Sequence, residues 1–227
     1  MFKLLVVPIF LFALGLLSTL RAASVDDLTF TLIYGGSSYK VTDCDDSAQG
    51  ALVIPASYNG KPVTEVGGFQ NVEYLTSITI PSSVTTIGSF AGCVNLVTIT
   101  IPSSVTTIRG SAFSGCVRLE SITLPSGITS IESNTFFKCV SLNSITIPDS
   151  VTSIGAGAFS WCSGLDSIVV PAGVTSIGEE AFDTLGNSPA GGLSVITVKA
   201  GNTAYRSIDG ILYDASGTTL LRCPQQK

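Results

Sequence analysis

The chain has 227 residues, 45% hydrophobic and only 12% charged, with 11 basic against 16 acidic side chains and a formal net charge of −5. That balance leaves no basic stripe for nucleic acid or anionic lipid. Histidine is absent, which removes the commonest general base, the commonest metal ligand and every catalytic triad built on imidazole.

At the amino end Lys3 precedes an apolar run from Leu4 to Leu17, followed by Ser18, Thr19, Leu20, Arg21 and the small residues Ala22, Ala23 and Ser24. A charged start, a short apolar stretch and a small-residue zone predict a cleaved signal peptide over 1–24, cut between Ala22 and Val25. The other reading is a membrane anchor over Phe2 to Leu20. Its 14 uninterrupted apolar residues are short against the roughly 20 that a span needs, so no membrane span is expected after cleavage.

From Leu28 to Thr42 two alternating runs flank Gly35-Gly36-Ser37-Ser38, the pattern of a β-hairpin. Residues 25–60 read as an N-terminal hairpin cap with the first partial coil, and 61–198 as a repeat array. The core of that array is three consecutive copies of a 23-residue phrase, restarting at Leu96, Leu119 and Leu142. Each runs Leu-x-x-Ile-x-Ile/Leu-Pro, then Val or Ile, Ile, Phe and Cys. A fixed period with a Leu-x-x-Ile-x-Ile core predicts a leucine-rich repeat solenoid, a right-handed array of short parallel strands with a hairpin cap at each end.

Proline is the ruler of the array. Pro55, Pro81, Pro102, Pro125, Pro148 and Pro171 follow one another at 26, 21, 23, 23 and 23 residues. Proline cannot donate to a strand ladder, so it stops the strand at one point in every coil. Tyr58-Asn59-Gly60-Lys61-Pro62 lengthens the first interval with a turn. Phe69, Phe90, Phe113, Phe136, Phe159 and Phe182 form an aromatic column, and Val66, Ile87, Ile108, Ile131, Ile154 and Ile177 an aliphatic one. After a surface insertion between Asp183 and Gly192, a last coil starts at Leu193. Residues 199–227 read as a second cap, in which Tyr205 to Tyr213 and Thr218 to Leu221 pair across Asp214-Ala215-Ser216-Gly217.

The phrase Leu142-Asn143-Ser144-Ile145-Thr146-Ile147-Pro148, with Val151 to Gly155, Ala158-Phe159 and Cys162, resembles the repeat of BspA-like surface leucine-rich repeat proteins. Tyr205, Ser207 to Tyr213 and Arg222-Cys223-Pro224 are similar to a module of the same family, so the resemblance spans Tyr39 to Pro224. It implies exported or cell-surface proteins of bacteria and some protists, several of them adhesins toward host matrix proteins or other cells. The coils depart from the better-known repeats that carry an Asn ladder after the strand. Ser83, Ser104, Gly127, Ser150 and Gly173 stand there, so turn hydrogen bonds are expected from Ser or from the backbone.

Alternation along the strands turns Ser77 and Thr79, Thr98 and Thr100, Ser121 and Thr123, and Ser144 and Thr146 outward, onto the concave face that such arrays present to partners. The neighbouring column varies from coil to coil as Thr76, Val97, Glu120, Asn143, Asp166 and Ser194, as a specificity surface would. Exposed Ser and Thr are also ordinary soluble strand formers. Regular hydroxyl files further resemble the Thr arrays of ice-binding solenoids, but only Thr98-Ile99-Thr100 has Thr in both files. The candidate binding residues are therefore Ser77, Thr79, Thr98, Thr100, Glu120, Ser121, Thr123, Asn143, Ser144, Thr146 and Asp166.

Cys93, Cys116, Cys139 and Cys162 recur every 23 residues, which invites a metal ladder or a chain of disulfides. Val72 and Leu185 hold the same column position, so it reads as a core position filled by free thiols. Cys44 and Cys223 fall in opposite caps and are expected not to pair with each other. Trp161 stands where other coils have Gly92, Gly115, Lys138 and Thr184; it is either an interface anchor or, as the preferred expectation, a ring packed beside the Phe column. Asp43, Asp45 and Asp46 lack the Gly and distal Glu of a calcium loop, and Glu179, Glu180 and Asp183 read as a solvated face. No phosphate loop, metal set or cofactor motif is legible, and no catalytic pair. The expectation is a secreted or cell-surface, non-enzymatic module that binds a protein ligand of the extracellular matrix or a cell surface, or else a structural spacer in a larger assembly.

Overall fold

The computed structural model describes residues 22–183 and 192–222. One side of the coils carries β3 (Gly50–Val53), β6 (Leu75–Thr79), β8 (Thr98–Thr100), β10 (Ser121–Thr123), β12 (Ser144–Thr146), β14 (Ser167–Val170) and β16 (Val195–Val198). They pair in parallel as β3-β6-β8, β10-β12 and β14-β16. A second side carries β5 (Lys61–Val66), β7 (Thr86–Ile87), β9 (Thr107–Ile108), β11 (Ser130–Ile131), β13 (Ser153–Ile154) and β15 (Ser176–Ile177), again parallel, as β5-β7-β9 and β11-β13-β15. This is the leucine-rich repeat β-solenoid that the period predicts.

Backbone bonds hold the coils in register where formal strand pairing lapses. The N–H of Val97 donates to the carbonyl of Thr76 at 2.9 Å, that of Glu120 to Val97 at 3.3 Å and that of Asn143 to Glu120 at 3.1 Å. From Pro81 onward the prolines that end strands open tight turns, the carbonyl accepting from the residue three further on: Val84 to Pro81, Val105 to Pro102 and Val151 to Pro148, at 3.1, 3.2 and 3.1 Å.

The core is a set of columns. Leu75, Leu96, Leu119, Leu142, Leu165 and Leu193 are buried, as are all six members of the Phe column. Those rings stack face on face from Phe69 to Phe182, with successive centroids 4.7, 5.8, 5.6, 5.4 and 5.9 Å apart. A coil alone leaves both ring faces in water and cannot offset its own ordering entropy; stacking supplies both neighbours.

β1 (Leu28–Ile33) and β2 (Ser38–Cys44) form the expected antiparallel hairpin around a 3-10 turn at Tyr34–Gly36. β2 pairs in parallel with β5, so the hairpin prolongs the second sheet, while Leu28, Val41 and Cys44 join the core. β4 (Ser57–Tyr58) pairs with the start of β5 across Asn59 and Gly60, at φ 46° and 74°. Upstream, Ser24 caps a 3-10 turn at Val25–Asp27, and the Ala23 N–H donates to Gln49 at 2.8 Å. The expected signal peptide lies outside the described residues as far as position 21.

The far cap differs from expectation. Tyr205 to Tyr213 is not one strand: β17 (Tyr205–Ile208), β18 (Ile211–Asp214) and β19 (Leu220–Arg222) make a three-stranded antiparallel meander. Asp209 and Gly210 take φ 52° and 79°, a two-residue turn of the kind that Asp-Gly favours because its twist matches a hairpin's. The meander is fastened to the array by the Ile196 N–H to Gly210 O bond and by the Tyr205 hydroxyl, which accepts from the Ile177 N–H, both at 2.9 Å.

Candidate functional site

The outward side chains of the first sheet lie in two straight files. Ser77 pairs with Thr98 and Thr79 with Thr100 across β6 and β8; Ser121 pairs with Ser144 and Thr123 with Thr146 across β10 and β12. All are exposed except Ser77, which is half-buried. The files run on past the residues singled out from sequence, through Ala51 and Val53 at one end and Ser167, Val169, Val195 and Thr197 at the other. Val53, Val169 and Val195 stand in the open. The alternation of β14, Ser-Ile-Val-Val, pointed to Ser167 and Val169; β16, beyond the insertion, extends the files in the same way. The face carries no charge along either file.

Three turn serines differ from the hydroxyls of the files. Ser104 and Ser150 donate to the carbonyls of Val84 and Ile128 in the preceding coil, both at 2.7 Å, and Ser83 to Ala56 at 3.0 Å. They take over the turn bonding of an Asn ladder, as the sequence leads one to expect. By contrast, among the described residues the side chains of Thr79, Thr98, Thr100, Ser121, Thr123, Ser144 and Thr146 make no hydrogen bond. Their donors and acceptors face solvent and are open to a ligand.

A depression of about 340 Å³ lies along β10 and β12, lined by Ser121, Thr123, Leu124, Ser126, Ser144, Thr146 and Pro148 among others. Of the flanking column, Glu120 and Asn143 are exposed beside it. Asp166 is engaged by the next coil, its Oδ1 accepting from the Ser194 hydroxyl at 2.8 Å.

The cysteines are core. Cys44, Cys93, Cys116, Cys139 and Cys162 are buried and free. Burial pushes the thiols of Cys44, Cys93 and Cys162 up to about 12 and drives Cys116 and Cys139 upward too, so none is a nucleophile near neutral pH. Cys223, Leu185 and Thr184 lie outside the described residues. No group of three or more Cys, Asp or Glu among the described residues could hold a metal.

Two expectations are corrected. Trp161 does not pack beside the Phe column; it is 45% exposed, at φ 64°. Its N–H donates to the Asp183 carbonyl in the next coil at 2.8 Å, as the Lys138 N–H does to Ser160 and the Gly115 N–H to Phe137. That ladder fixes the backbone of the whole column and turns its side chains outward. Asp183 is not part of a solvated face with the exposed Glu179 and Glu180; it is buried in the turn that follows Phe182.

Residues 65–187 match the family profile of the BspA type Leucine rich repeat region in six copies. Among solved structures, a leucine-rich repeat protein of T. pallidum is 29% identical, with a TM-score of 0.62 over 70% of this chain and 82% of its own. A leucine-rich cell surface protein of Faecalibacterium prausnitzii is 30% identical, with a TM-score of 0.63 over 90% of this chain. The pneumococcal vaccine antigen PcpA shares the fold at 23% identity and a TM-score of 0.69 over 90% of this chain. The chain spans 62% and 56% of the last two. No curated protein matches it. Among the described residues no helix is long and apolar enough to cross a membrane.

Proposed function

The chain belongs to the BspA type leucine-rich repeat family, and from that premise we propose that it is an exported, non-catalytic recognition module that holds a protein ligand against the Ser/Thr face of its first sheet. The family and the cell-surface description of the Faecalibacterium prausnitzii protein support a place outside the cell. The observation that carries the reading is the division of the hydroxyls. Ser83, Ser104 and Ser150 in the turns are consumed by the preceding coil, whereas the hydroxyls of the two files are free to bond a partner. Glu120 and Asn143 beside the 340 Å³ depression supply the side chains that distinguish one ligand from another. Adhesion to a matrix or cell-surface protein is the function this face fits, with the terminal leader directing export.

The test is binding of the purified protein to immobilised extracellular-matrix proteins and to whole cells. Saturable binding that is lost in Thr100→Lys, Thr123→Lys and Thr146→Lys, with melting unchanged, supports the reading. A folded protein that binds nothing, or one whose binding survives all three substitutions, refutes the face and leaves a structural spacer.

A further inference from the structure

The turn side of the array carries a feature that the sheet face does not explain. The third residue of each Phe-to-Cys turn has positive φ, from Asn71 (63°), Gly92 (76°) and Gly115 (74°) to Lys138 (59°) and Trp161 (64°). Glycine suits that backbone, and a residue with a Cβ is disfavoured in it. Trp161 is therefore poorly placed twice over, in a left-handed backbone and with its ring half in water. Neither the core nor the turn calls for an indole there, and a locally unfavourable residue held by its surroundings points to function.

Its neighbours sharpen the point. The Lys138 ammonium lies 5.6 Å from the Trp161 ring centroid and 5.3 Å from that of Phe137, one cation held beside two aromatic faces. Val140, two residues beyond Lys138, is also exposed. Taken from four residues before each Phe to five after, the turn segments 109–118, 132–141 and 155–164 contain Arg109, Arg118 and Lys138 against one carboxylate, Glu132, while Glu179, Glu180 and the buried Asp183 stand on the next coil. The complement of this patch is a ring with a flat apolar face and one negative charge.

We propose that Trp161, Lys138 and Phe137 form a binding site for an acidic sugar: the C–H face of a pyranose lies on the indole and its carboxylate pairs with the Lys138 ammonium. An acidic peptide offers the charge on a flexible stem, whereas a hexuronate fixes charge and flat face in one ring and loses less freedom on binding. The site is separate from the Ser/Thr face and does not depend on it.

Trp161 is the chain's one tryptophan, so its emission reports this site alone. The full chain is titrated with a hexuronate oligosaccharide, monomeric glucuronate, a neutral oligosaccharide of equal length and polyglutamate. A saturable emission change is expected with the hexuronates, at least about tenfold tighter than with the neutral sugar and weakening as salt is raised. Equal affinity per site for monomer and oligomer assigns the free acid sugar; tighter oligomer binding assigns a glycan chain. Lys138→Gln removes the preference for the acidic sugar, and Trp161→Gly, read by calorimetry, abolishes binding. Glycine holds this position in two other coils, so Trp161→Gly keeps its cooperative melt. The proposal is overturned by no saturable change in folded protein, by an equal response to polyglutamate, or by unchanged affinity in Lys138→Gln.

Discussion

The thiol of Cys139 donates to the backbone carbonyl of Phe113, one coil back, at 3.1 Å. The same carbonyl accepts from the Cys116 N–H at 3.1 Å and so closes the turn of its own coil. Cys93, Cys116 and Cys162 bond the preceding coil's Phe in the same way, at 3.0, 3.2 and 3.1 Å. The column is thus a file of small apolar groups whose weak donors fill the second lone pair of a buried carbonyl. Because Val72 holds the same place, Cys139→Val is expected to cost less than about 1 kcal/mol, and Cys139→Ala, which leaves a cavity, about 1–3 kcal/mol. Urea unfolding distinguishes the two; a larger loss in the valine variant would mean that the thiol bond dominates.

These thiols also set an alkaline limit. Folded, Cys93 and Cys162 are raised from 9.0 to about 12 by burial, so the unfolded chain releases its protons first. Stability from these groups is complete below pH 9 and lost as pH rises from 9 toward 12, by about 1.4 kcal/mol per thiol per pH unit. Thermal melts should be insensitive to thiol ionisation below pH 9, and the decline above it should be shallower in Cys162→Val. Native protein should leave all five described thiols unreactive toward a thiol reagent at pH 8, and denatured protein should expose them.

Two serines of one coil should behave differently. Ser150→Ala removes the donor to Ile128, bonded at 2.7 Å, and is expected to destabilise by about 1 kcal/mol. Ser144→Ala, in the outward file, should stay within about 0.5 kcal/mol. Equal losses in denaturant titrations would show that the file hydroxyls are also framework.

Certain glycines are fixed by backbone contact, Gly155 by that alone and Gly68 also by its φ of 81°. A Cβ at Gly68 would lie 1.9 Å from the Thr42 carbonyl oxygen, and one at Gly155 2.4 Å from the Ser133 nitrogen. Gly68→Ala and Gly155→Ala should each cost more than about 2 kcal/mol, whereas Gly201→Ala, with open space around it, pays only for its φ of 89°. Melting temperatures of the three variants give the ranking.

Phe136 lies between Phe113 and Phe159, with centroids 5.6 and 5.4 Å away. Phe136→Ala removes a ring from mid-stack and should cost about 3–5 kcal/mol. In a one-dimensional array that loss separates the coils on either side, so hydrogen exchange should show the two halves opening independently.

Periodicity alone determined the solenoid, the outward Ser and Thr files and the buried cysteine column, because each is a statement about which face of a repeated strand or turn meets the core. Val72 among the cysteines and Pro81 to Pro171 at the strand ends carried that information in the linear chain. The tertiary structure decided what depends on contacts between coils. It separated Ser150, bonded to Ile128, from Ser144, open to solvent, although the two residue types and their spacing look alike in sequence. It also turned Trp161 outward, since the direction of a side chain at that turn is set by its N–H bond to Asp183 in the next coil and by a positive φ, not by hydrophobicity. The split of the far cap is legible in the Asp209-Gly210 dipeptide itself, which favours a two-residue hairpin turn. What an array binds lies in side chains exempt from the repeat, and the pattern that reveals the frame carries no information about them.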